Sequence, residues 1–265
     1  MDVIFTDLDG TLLDRDTYSW EAARPALDRL RRQGVPWVLV TSKTRAEVEF
    51  LRRSLNHKHP FIVENGGAVF VPLGYFPFAV RGGERRNSYE VIELGMPYKR
   101  LVADLQRASQ ASHCRVRGFH EMTPGEVARL CDLPLKQAGL AKKREYDEPF
   151  VVLDPDRADV LAAAIEDLGR RSTRGGRFWH ILGGSDKARA VEAISALFAQ
   201  WNPPVRTIGL GDGLNDASFL NVVTAPVLIR SAQAEELKAM VPRGVVTDRP
   251  GPEGWNEAVL ALIGD

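Results

Sequence analysis

The sequence has only two cysteines, no excess charge of either sign and no long uninterrupted run of apolar residues. Cys114 and Cys131 lack the spacing of a metal or redox motif, so we expect thiols in a reducing compartment. The net charge is zero, from 35 basic and 35 acidic residues, which gives no reason to expect a nucleic-acid partner. No apolar run approaches a membrane span, and the first residues lack the apolar core of a signal peptide. These absences predict a cytoplasmic protein with neither membrane nor nucleic-acid partners.

What is present is the composition of an ordinary globular protein. Of the 265 residues, 44% are hydrophobic and 26% are charged, which is enough apolar surface for a substantial core. The length exceeds that of a typical single domain, so one large domain or two domains are both compatible with it. Internal repeats and low-complexity tracts are absent from the sequence.

The pattern of apolar residues changes twice along the chain, which predicts an interrupted domain. Buried strands at 3–6, 35–40 and 61–63 alternate with helices at 20–33 and 44–55, which is typical of a doubly wound parallel sheet. From about 82 to 183 the strands alternate polar and apolar residues, as antiparallel strands with one wet face do. Regular alternation of helix and strand returns after 184. We therefore predict an α/β fold, with a Rossmann-like parallel-sheet core (1–81 and 184–265) and an inserted α+β cap (82–183).

Two carboxylates follow the first predicted strand. Asp7 and Asp9 stand two residues apart, and Gly10 comes directly after them. In an open α/β sheet, ligands bind outside the carboxyl ends of the strands, so both acids are expected at the mouth of a cleft. A glycine there lets backbone N–H groups approach an anion. An Asp-Gly hairpin turn is the alternative for this stretch taken alone.

A second acidic cluster follows a later predicted strand, where Asp212 lies between two glycines and Asp216 stands four residues on. Two such clusters at strand ends can converge on one hard cation, because Mg²⁺ is bound by a few carboxylates together with water and phosphate oxygens. A hydroxyl at a third strand end, Ser42, and a helix-borne lysine, Lys187, complete the set. Taken singly, Ser42 could be a helix N-cap and Lys187 a surface lysine, but the combination is far more specific.

These motifs resemble those of haloacid-dehalogenase-superfamily phosphatases, in the order that this superfamily uses. The position of the insertion resembles that of a subclass-B cap. The stretches 41–45, 64–68 and 183–187 further resemble the mannosyl-3-phosphoglycerate phosphatase family. One departure from the wider group is Ser42-Lys43-Thr44, where subclass-B relatives often carry Thr-Gly-Arg. This departure argues against the branch of general sugar phosphatases.

The resemblance implies a Mg²⁺-dependent phosphatase that works through an aspartyl-phosphate. It implies that Asp7 is the nucleophile and that Asp9 is the general acid and base. Ser42 and Lys187 are expected to hold the oxygens of the transferring phosphoryl group. The expected metal-binding residues are Asp7, Asp9, Asp212 and Asp216, with Asp216 better suited to orienting Lys187 or a ligand.

The substrate expected from the resemblance is a small phosphorylated sugar-glycerate, which requires donors beyond the catalytic set. We predict that these donors come from strand ends of the core and from the cap. The candidate substrate-binding residues are Gly10, Lys43, Arg45, Asn65, Gly66, Glu121, Met122, Arg177, His180 and Asn215. For each of them a solvated surface position or ordinary packing is an alternative, and His180 in particular fits a core histidine.

Three other functions use the same fold. A general phosphatase of sucrose, trehalose or hexose phosphates would share the catalytic residues. A phosphosugar mutase would share the acidic motifs but retain a bisphosphate, and an inactive relative would serve as a binding scaffold. The scaffold is disfavoured because Asp7, Asp9 and Lys187 are all present. The oligomeric state is left open by the sequence.

Overall fold

The computed structural model describes residues 1–175, 178–184 and 186–264. Its strands are β1 (Asp2–Thr6), β2 (Trp37–Val40), β3 (Phe61–Val63), β4 (Ala68–Pro72), β5 (Glu84–Arg86), β6 (Tyr89–Glu93), β7 (Val116–Gly118), β8 (Asp147–Val152), β9 (Arg171–Gly175), β10 (Phe178–Leu182), β11 (Arg206–Gly211), β12 (Ala225–Arg230) and β13 (Val245–Pro250). Its α-helices are α1 (Arg24–Gln33), α2 (Arg45–Ser54), α3 (Tyr98–Ser112), α4 (Pro124–Cys131), α5 (Leu135–Ala141), α6 (Ala158–Asp167), α7 (Lys187–Trp201), α8 (Ala217–Val222), α9 (Ala234–Met240) and α10 (Gly251–Ile263).

The core is built on a nine-stranded sheet in the order β13-β12-β11-β1-β2-β3-β4-β6-β5. Neighbours from β13 to β3 are parallel, and the pairs from β3 onwards are antiparallel. β1 lies between β11 and β2, and its side chains are buried on both faces. Ile4 belongs to one hydrophobic cluster, while Val3 and Phe5 belong to the cluster on the opposite face. This parallel core confirms the predicted α/β class, because only a strand covered on both sides reads as a continuous apolar run.

A second sheet of four antiparallel strands, in the order β7-β8-β10-β9, forms the body of the insertion. Helices α3 and α6 pack against it through Leu101, Leu105 and Ile165, together with the sheet residues Phe150 and Ile181. Helices α4 and α5 contribute a separate small cluster with Met122. The edge strand β9 was not predicted, because its sequence Arg-Ser-Thr-Arg-Gly carries no apolar signal.

The hairpin of β5 and β6 belongs to the large sheet and not to the insertion. β6 pairs antiparallel with β4 from Ala68↔Glu93 to Pro72↔Tyr89, and Val91 is buried in the core. The predicted placement of 82–93 in the cap is therefore wrong. An alternating edge strand fits either antiparallel sheet, and only pairing in the folded chain decides between them. In the domain division that we propose, the cap begins after 93.

Local signals fix the ends of the elements that surround the large sheet's carboxyl edge. Thr44 caps α2 in a reciprocal capping box with Glu47, and Asp186 caps α7 by accepting from the N–H of Arg189. Both helices therefore begin beside the ends of β2 and β3. Among the described residues, no helix combines the length and apolarity needed to cross a membrane.

Candidate active site

The two acidic clusters meet because β1 and β11 are adjacent and parallel. Thr6 is in register with Leu210, and the N–H of Asp7 donates to the Leu210 carbonyl at 2.9 Å. One carboxylate oxygen from each of Asp7, Asp212 and Asp216 lies within 4.8 Å of the other two. All three side chains are buried. The structure thus brings together, at one edge of the sheet, the carboxylates that the sequence singled out.

Lys187 lies at the start of α7 and is completely enclosed. Its Nζ donates to Asp7 Oδ1 at 2.8 Å and to Asp216 Oδ1 at 2.5 Å. Burial lowers the pKa of this ammonium, but the two carboxylates outweigh burial and the net pKa is raised. Lys187 is therefore a permanently charged group at the centre of the site and not a surface lysine.

Asp216 has both oxygens occupied by protein donors. Oδ1 accepts from Lys187, and Oδ2 accepts from the N–H groups of Asp212 and Gly213 at 3.1 and 3.0 Å. A Cβ at Gly211 would lie 2.7 Å from Asp216, so a side chain at that position would displace the carboxylate. This placement suits a residue that orients Lys187 and the Asp212 loop.

The carboxylates raise one another's proton affinity. The pKa of Asp7 is raised well above its ordinary value, first by burial and then by Asp216, although Lys187 opposes this. Burial and Asp216 also raise the pKa of Asp212 to about 6, against the opposing effect of Arg15. Crowded buried carboxylates are the donor set that a hard divalent cation prefers. The chemistry of these residues therefore fits Mg²⁺.

Asp9 points into the same site with a different environment. Its Oδ2 accepts from Lys43 Nζ at 2.7 Å, while Oδ1 is buried without a hydrogen-bond partner among the described residues. A buried carboxylate oxygen without a donor is rare and fits a position that a ligand fills. Gly10 follows with φ +82°, and a Cβ there would lie 2.6 Å from Asp212 Oδ2. Gly10 thus permits close approach of the two acidic loops.

Ser42 follows β2 and lines the cleft. It does not cap α2, because Thr44 does so. Its carbonyl accepts from Arg144 Nη2 of the insertion at 3.1 Å. This hydrogen bond ties the cap to the core directly beside the predicted phosphate-binding hydroxyl.

A cleft of about 310 Å³ separates the core from the cap. Its core side includes Asp7, Asp9, Arg15, Asp16, Tyr18, Ser42, Lys43, Glu47, Asp212, Gly213, Asn215 and Gln233. Its cap side includes Phe119, Cys131, Leu133, Ala141, Arg144, Pro149, Phe178 and His180. Asp7, Asp9 and Ser42 therefore face one shared space with the cap residues Arg144 and His180, whereas Lys187 is not among the residues that line it.

A buried polar network crosses from the core to the cap. Asn65, with φ 56°, donates to Asp147 Oδ2 at 2.8 Å and accepts from Asn215 at 3.3 Å. Asp147 also pairs with Arg144 at 2.7 Å and with His180 Nδ1 at 2.9 Å. Burial raises the pKa of Asp147, but the charge of Arg144 and the hydrogen bonds from His180 and Asn65 outweigh burial and hold it below its ordinary value.

Sequence reasoning missed Arg144 and Asp147. Both belong to 144–148, a largely charged run that leads into β8 and includes its first two residues, and charge beside a buried strand was the available signal. Only contact with β10 and with the 64–66 turn gives these side chains a place in the site.

Besides Gly10 and Asn65, whose contacts are given above and which do not line the cleft, four of the predicted substrate-binding residues lie elsewhere. Arg45 bonds to Glu145 and Glu49, and it is not among the residues lining the cleft. A Cβ on Gly66 would lie 2.1 Å from the Asp186 carbonyl, so this glycine serves close packing at the start of α7.

The other two are in the cap. Glu121 is exposed and accepts from the N–H of Gly118, while Met122 is buried in the cluster of α4 and α5. Both residues follow β7 in a turn, and chain position alone did not reveal in which direction their side chains point. The predicted binding residue Arg177 lies outside the described residues. Lys43, Asn215 and His180 do line the cleft.

Comparison with known proteins places this arrangement in a family. Residues 4–73 match the family model of haloacid dehalogenase-like hydrolases. The glucosyl-3-phosphoglycerate/mannosyl-3-phosphoglycerate phosphatase of Persephonella marina is 40% identical over 265 residues, covering 99% of this chain and 97% of that protein. The mannosyl-3-phosphoglycerate phosphatase of Pyrococcus furiosus is 36% identical over 235 residues, covering 88% of this chain and 93% of that protein.

Solved structures show the same fold over the full length. A haloacid dehalogenase-like hydrolase from B. subtilis superposes with a TM-score of 0.71 at 18% identity, covering 99% of this chain and 100% of that one. A subclass IIB sugar phosphatase of the superfamily superposes with a TM-score of 0.67 at 18% identity, covering 99% and 98%. The chain therefore belongs to the haloacid-dehalogenase superfamily, in its mannosyl-3-phosphoglycerate phosphatase family with a subclass-B cap, and is a phosphoric monoester hydrolase.

Proposed function

We propose that the protein hydrolyses mannosyl-3-phosphoglycerate to mannosylglycerate and inorganic phosphate, with Mg²⁺ as cofactor, and so serves compatible-solute synthesis. The names of its 36–40% identical relatives support this substrate. The observation that carries the proposal is the convergence of Asp7 and Asp9 at a cleft between the core and the cap, with the buried Lys187 paired to Asp7.

Asp7 is the nucleophile in this proposal. Unaided hydrolysis of a phosphate monoester is extremely slow, and a covalent intermediate divides it into two easier steps. One carboxylate oxygen of Asp7 forms a bond to phosphorus while the bond from phosphorus to the glycerate oxygen breaks, which gives an aspartyl-phosphate. Lys187, 2.8 Å from Asp7, keeps the carboxylate oriented and offsets the charge that gathers on the phosphoryl oxygens.

Asp9 is the general acid and then the general base. In the first step it gives a proton to the departing glycerate oxygen, and in the second it takes a proton from the attacking water. Its buried Oδ1, without a partner among the described residues, is available for this exchange, while Lys43 fixes Oδ2. The second step releases phosphate and restores the Asp7 carboxylate.

Asp7, Asp212 and the main-chain carbonyl of Asp9 would hold Mg²⁺. The ion neutralises repulsion between the carboxylates and the substrate phosphate when it is bound. Asp216 contributes by fixing Lys187 and the N–H groups of the Asp212 loop. Arg15, which contacts Asp212 Oδ2 at 2.6 Å from an exposed position, is able to move away when the cation binds.

Lys43 supplies positive charge on the core side of the cleft, whereas the charge of Arg144 on the cap side is already paired with Asp147. A phosphoglycerate unit carries a carboxylate within a few bonds of its phosphate, whereas a hexose phosphate has no second anion. A cation placed to bind the carboxylate loses that ion pair when the substrate has no carboxylate. Such a loss discriminates strongly between a phosphoglycerate glycoside and a hexose phosphate.

The test is a comparison of kcat/KM for mannosyl-3-phosphoglycerate, mannose 6-phosphate and free 3-phosphoglycerate, with phosphate release as the readout and no bisphosphate primer. We expect a marked preference for mannosyl-3-phosphoglycerate. Equal kcat/KM on mannose 6-phosphate would show that the site does not recognise the carboxylate. Equal kcat/KM on 3-phosphoglycerate would show that it does not recognise the sugar. Glucosyl-3-phosphoglycerate is a second candidate substrate, because the Persephonella marina relative is named for both glycosides.

We also propose a cytoplasmic location. Cys114 and Cys131 form no disulfide, although both lie in the part of the chain that is described. Thiols kept reduced are typical of cytoplasmic proteins.

A further inference from the structure

Asp147, at the first position of β8, is a buried carboxylate with both oxygens engaged. Arg144 Nη2 approaches Oδ1 at 2.7 Å, and Asn65 Nδ2 donates to Oδ2 at 2.8 Å. His180 Nδ1 lies 3.0 Å from Oδ1 and 2.9 Å from Oδ2. Asp147 is completely buried and does not line the cleft, whereas His180 does. Any influence of Asp147 on a ligand in the cleft must therefore pass through its neighbours.

The charge on Asp147 decides which nitrogen of His180 carries the proton. An ionised carboxylate only accepts hydrogen bonds, so His180 Nδ1 must donate. In the neutral imidazole the other nitrogen, Nε2, is then an acceptor. Nε2 has no hydrogen-bond partner among the described residues, and the ring lines the cleft. With a neutral ring, the cap therefore presents one fixed acceptor to whatever occupies the cleft, which Asp9 also lines.

An apolar wall stands beside this acceptor. Phe119 and Phe178 both line the cap side, with ring centroids 5.0 Å apart in an edge-to-face arrangement. An apolar surface with a few placed polar groups is what binds a sugar ring, whose C–H faces pack on aromatic rings while its hydroxyls need partners. A carboxylate is a poorer match, because an acceptor nitrogen repels it and Asp147 already pairs with Arg144.

We propose that His180 Nε2 accepts a hydrogen bond from a hydroxyl of the substrate's sugar, and that Asp147 is the positioning residue that fixes His180 for this contact. This inference rests on the proposed function, and it assigns the sugar subsite to the cap wall of His180, Phe119 and Phe178. His180 is held from its buried side by Asp147, which is itself held by Arg144 and Asn65. Asn65 connects Asp147 to Asn215, which is next to Asp216, so the sugar subsite and the catalytic loop share one set of hydrogen bonds.

Two substitutions of His180 test the roles of its two ring nitrogens separately. An Asn side chain places its amide near Nδ1, and a Gln side chain places its amide near Nε2. His180→Asn therefore keeps the contact with Asp147 and loses the sugar contact, while His180→Gln restores an acceptor for the sugar. We expect His180→Asn to raise KM for mannosyl-3-phosphoglycerate roughly 5- to 30-fold with little change in kcat. His180→Gln should recover most of that loss, and both should leave kcat/KM for 3-phosphoglycerate within about twofold.

Asp147 is tested with the same two substrates. Asp147→Asn removes the charge that fixes the tautomer, so KM for mannosyl-3-phosphoglycerate should rise while kcat/KM for 3-phosphoglycerate stays. In the His180→Asn background the same change should add nothing to the loss of discrimination, because Asp147 acts through His180. Thermal melting of each variant separates a folding defect from a binding effect.

The possible failures are distinguishable. Loss of equal size on both substrates, or additive losses in the double variant, would overturn the inference while leaving the phosphatase proposal intact. Wild-type protein that releases no phosphate from either glycosyl-3-phosphoglycerate would overturn the proposed function itself.

Discussion

Lys187 Nζ lies 2.8 Å from Asp7 Oδ1, although 180 residues of sequence separate the two. Asp7 directly follows β1, and Lys187 is the first residue of α7, which comes after the cap in the sequence. The contact places a fixed positive charge against the proposed nucleophile inside a buried site, where an unpaired charge would be strongly destabilising. The inserted cap therefore separates Asp7 from Lys187 in the sequence but not in space.

Asp7→Asn is expected to abolish phosphate release. The change is nearly isosteric and removes the attacking oxygen's charge, while the amide still accepts from Lys187. Turnover assays and circular-dichroism melting check it, with Asp28→Asn on the exposed face of α1 as the matched control. Release near the wild-type rate from Asp7→Asn would rule out the covalent mechanism.

Lys187→Ala is expected to lower kcat by about 10²–10³, by analogy with the loss of one oxyanion-stabilising donor. It should also lower stability in the absence of divalent cations, because Asp7 and Asp216 then remain buried without their counter-charge. The control is Lys136→Ala at an exposed position of α5. A loss in kcat below tenfold would remove Lys187 from the catalytic set.

Removal of Mg²⁺ by exhaustive chelation is expected to abolish turnover, and added Mg²⁺ should restore it. Asp212→Asn should weaken Mg²⁺ binding, because it removes one charge from the group of three carboxylates. Titration of activity and of melting temperature against Mg²⁺ concentration gives two independent readouts. Full activity in the chelated protein would show that the acidic cluster is not a cofactor site.

Lys43 and Arg45 form a matched pair of neighbouring cations with different surroundings. Lys43 lines the cleft beside Asp9, while Arg45 is held by Glu145 and Glu49. Lys43→Gln is expected to lower the preference for mannosyl-3-phosphoglycerate over mannose 6-phosphate on the order of tenfold, and Arg45→Gln to leave it within about twofold. Equal effects of the two changes on this ratio would contradict the assignment of Lys43.

The contribution of two buried histidines to the stability of the fold is expected to fall as the pH drops from about 6.5 toward 4, while the raised pKa values of Asp7 and Asp212 act in the opposite direction. Burial lowers the pKa of His57 well below its ordinary range and that of His59 to about 4. The unfolded chain has histidine pKa values near 6.5, so below that pH it binds more protons than the folded chain, which favours unfolding. Each histidine contributes about 2 kcal/mol of this loss at pH 5, an order-of-magnitude value.

Urea unfolding at pH 7 and pH 5 measures this loss. Arg52 Nε donates to His57 Nδ1, and Nε2 faces the Trp37 carbonyl at 2.8 Å, which requires the neutral ring. His57→Gln should therefore reduce the difference between the two pH values, while the exposed His113→Gln should leave it unchanged. An undiminished difference in His57→Gln would contradict the role of His57.

The sequence by itself determined the parallel core and the group of Asp7, Asp212, Asp216 and Lys187. The reason is physical: buried parallel strands read as short apolar runs, and polar residues after their carboxyl ends must meet at one edge of the sheet. Each of these assignments depends only on where a strand ends, which local patterns reveal. Side-chain direction within the cap does not follow from such patterns.

Only the tertiary structure decided what faces the cleft from the cap. Met122 and Gly66 serve packing, and Arg144 and Asp147 reach the core–cap boundary from a charged run that carries no motif. The pairing of β6 with β4 was likewise fixed by the folded sheet, since an alternating strand fits either sheet. These placements depend on contacts between segments that are distant in sequence. Local periodicity holds no information about which of two antiparallel partners, or which neighbour across a cleft, a side chain will meet.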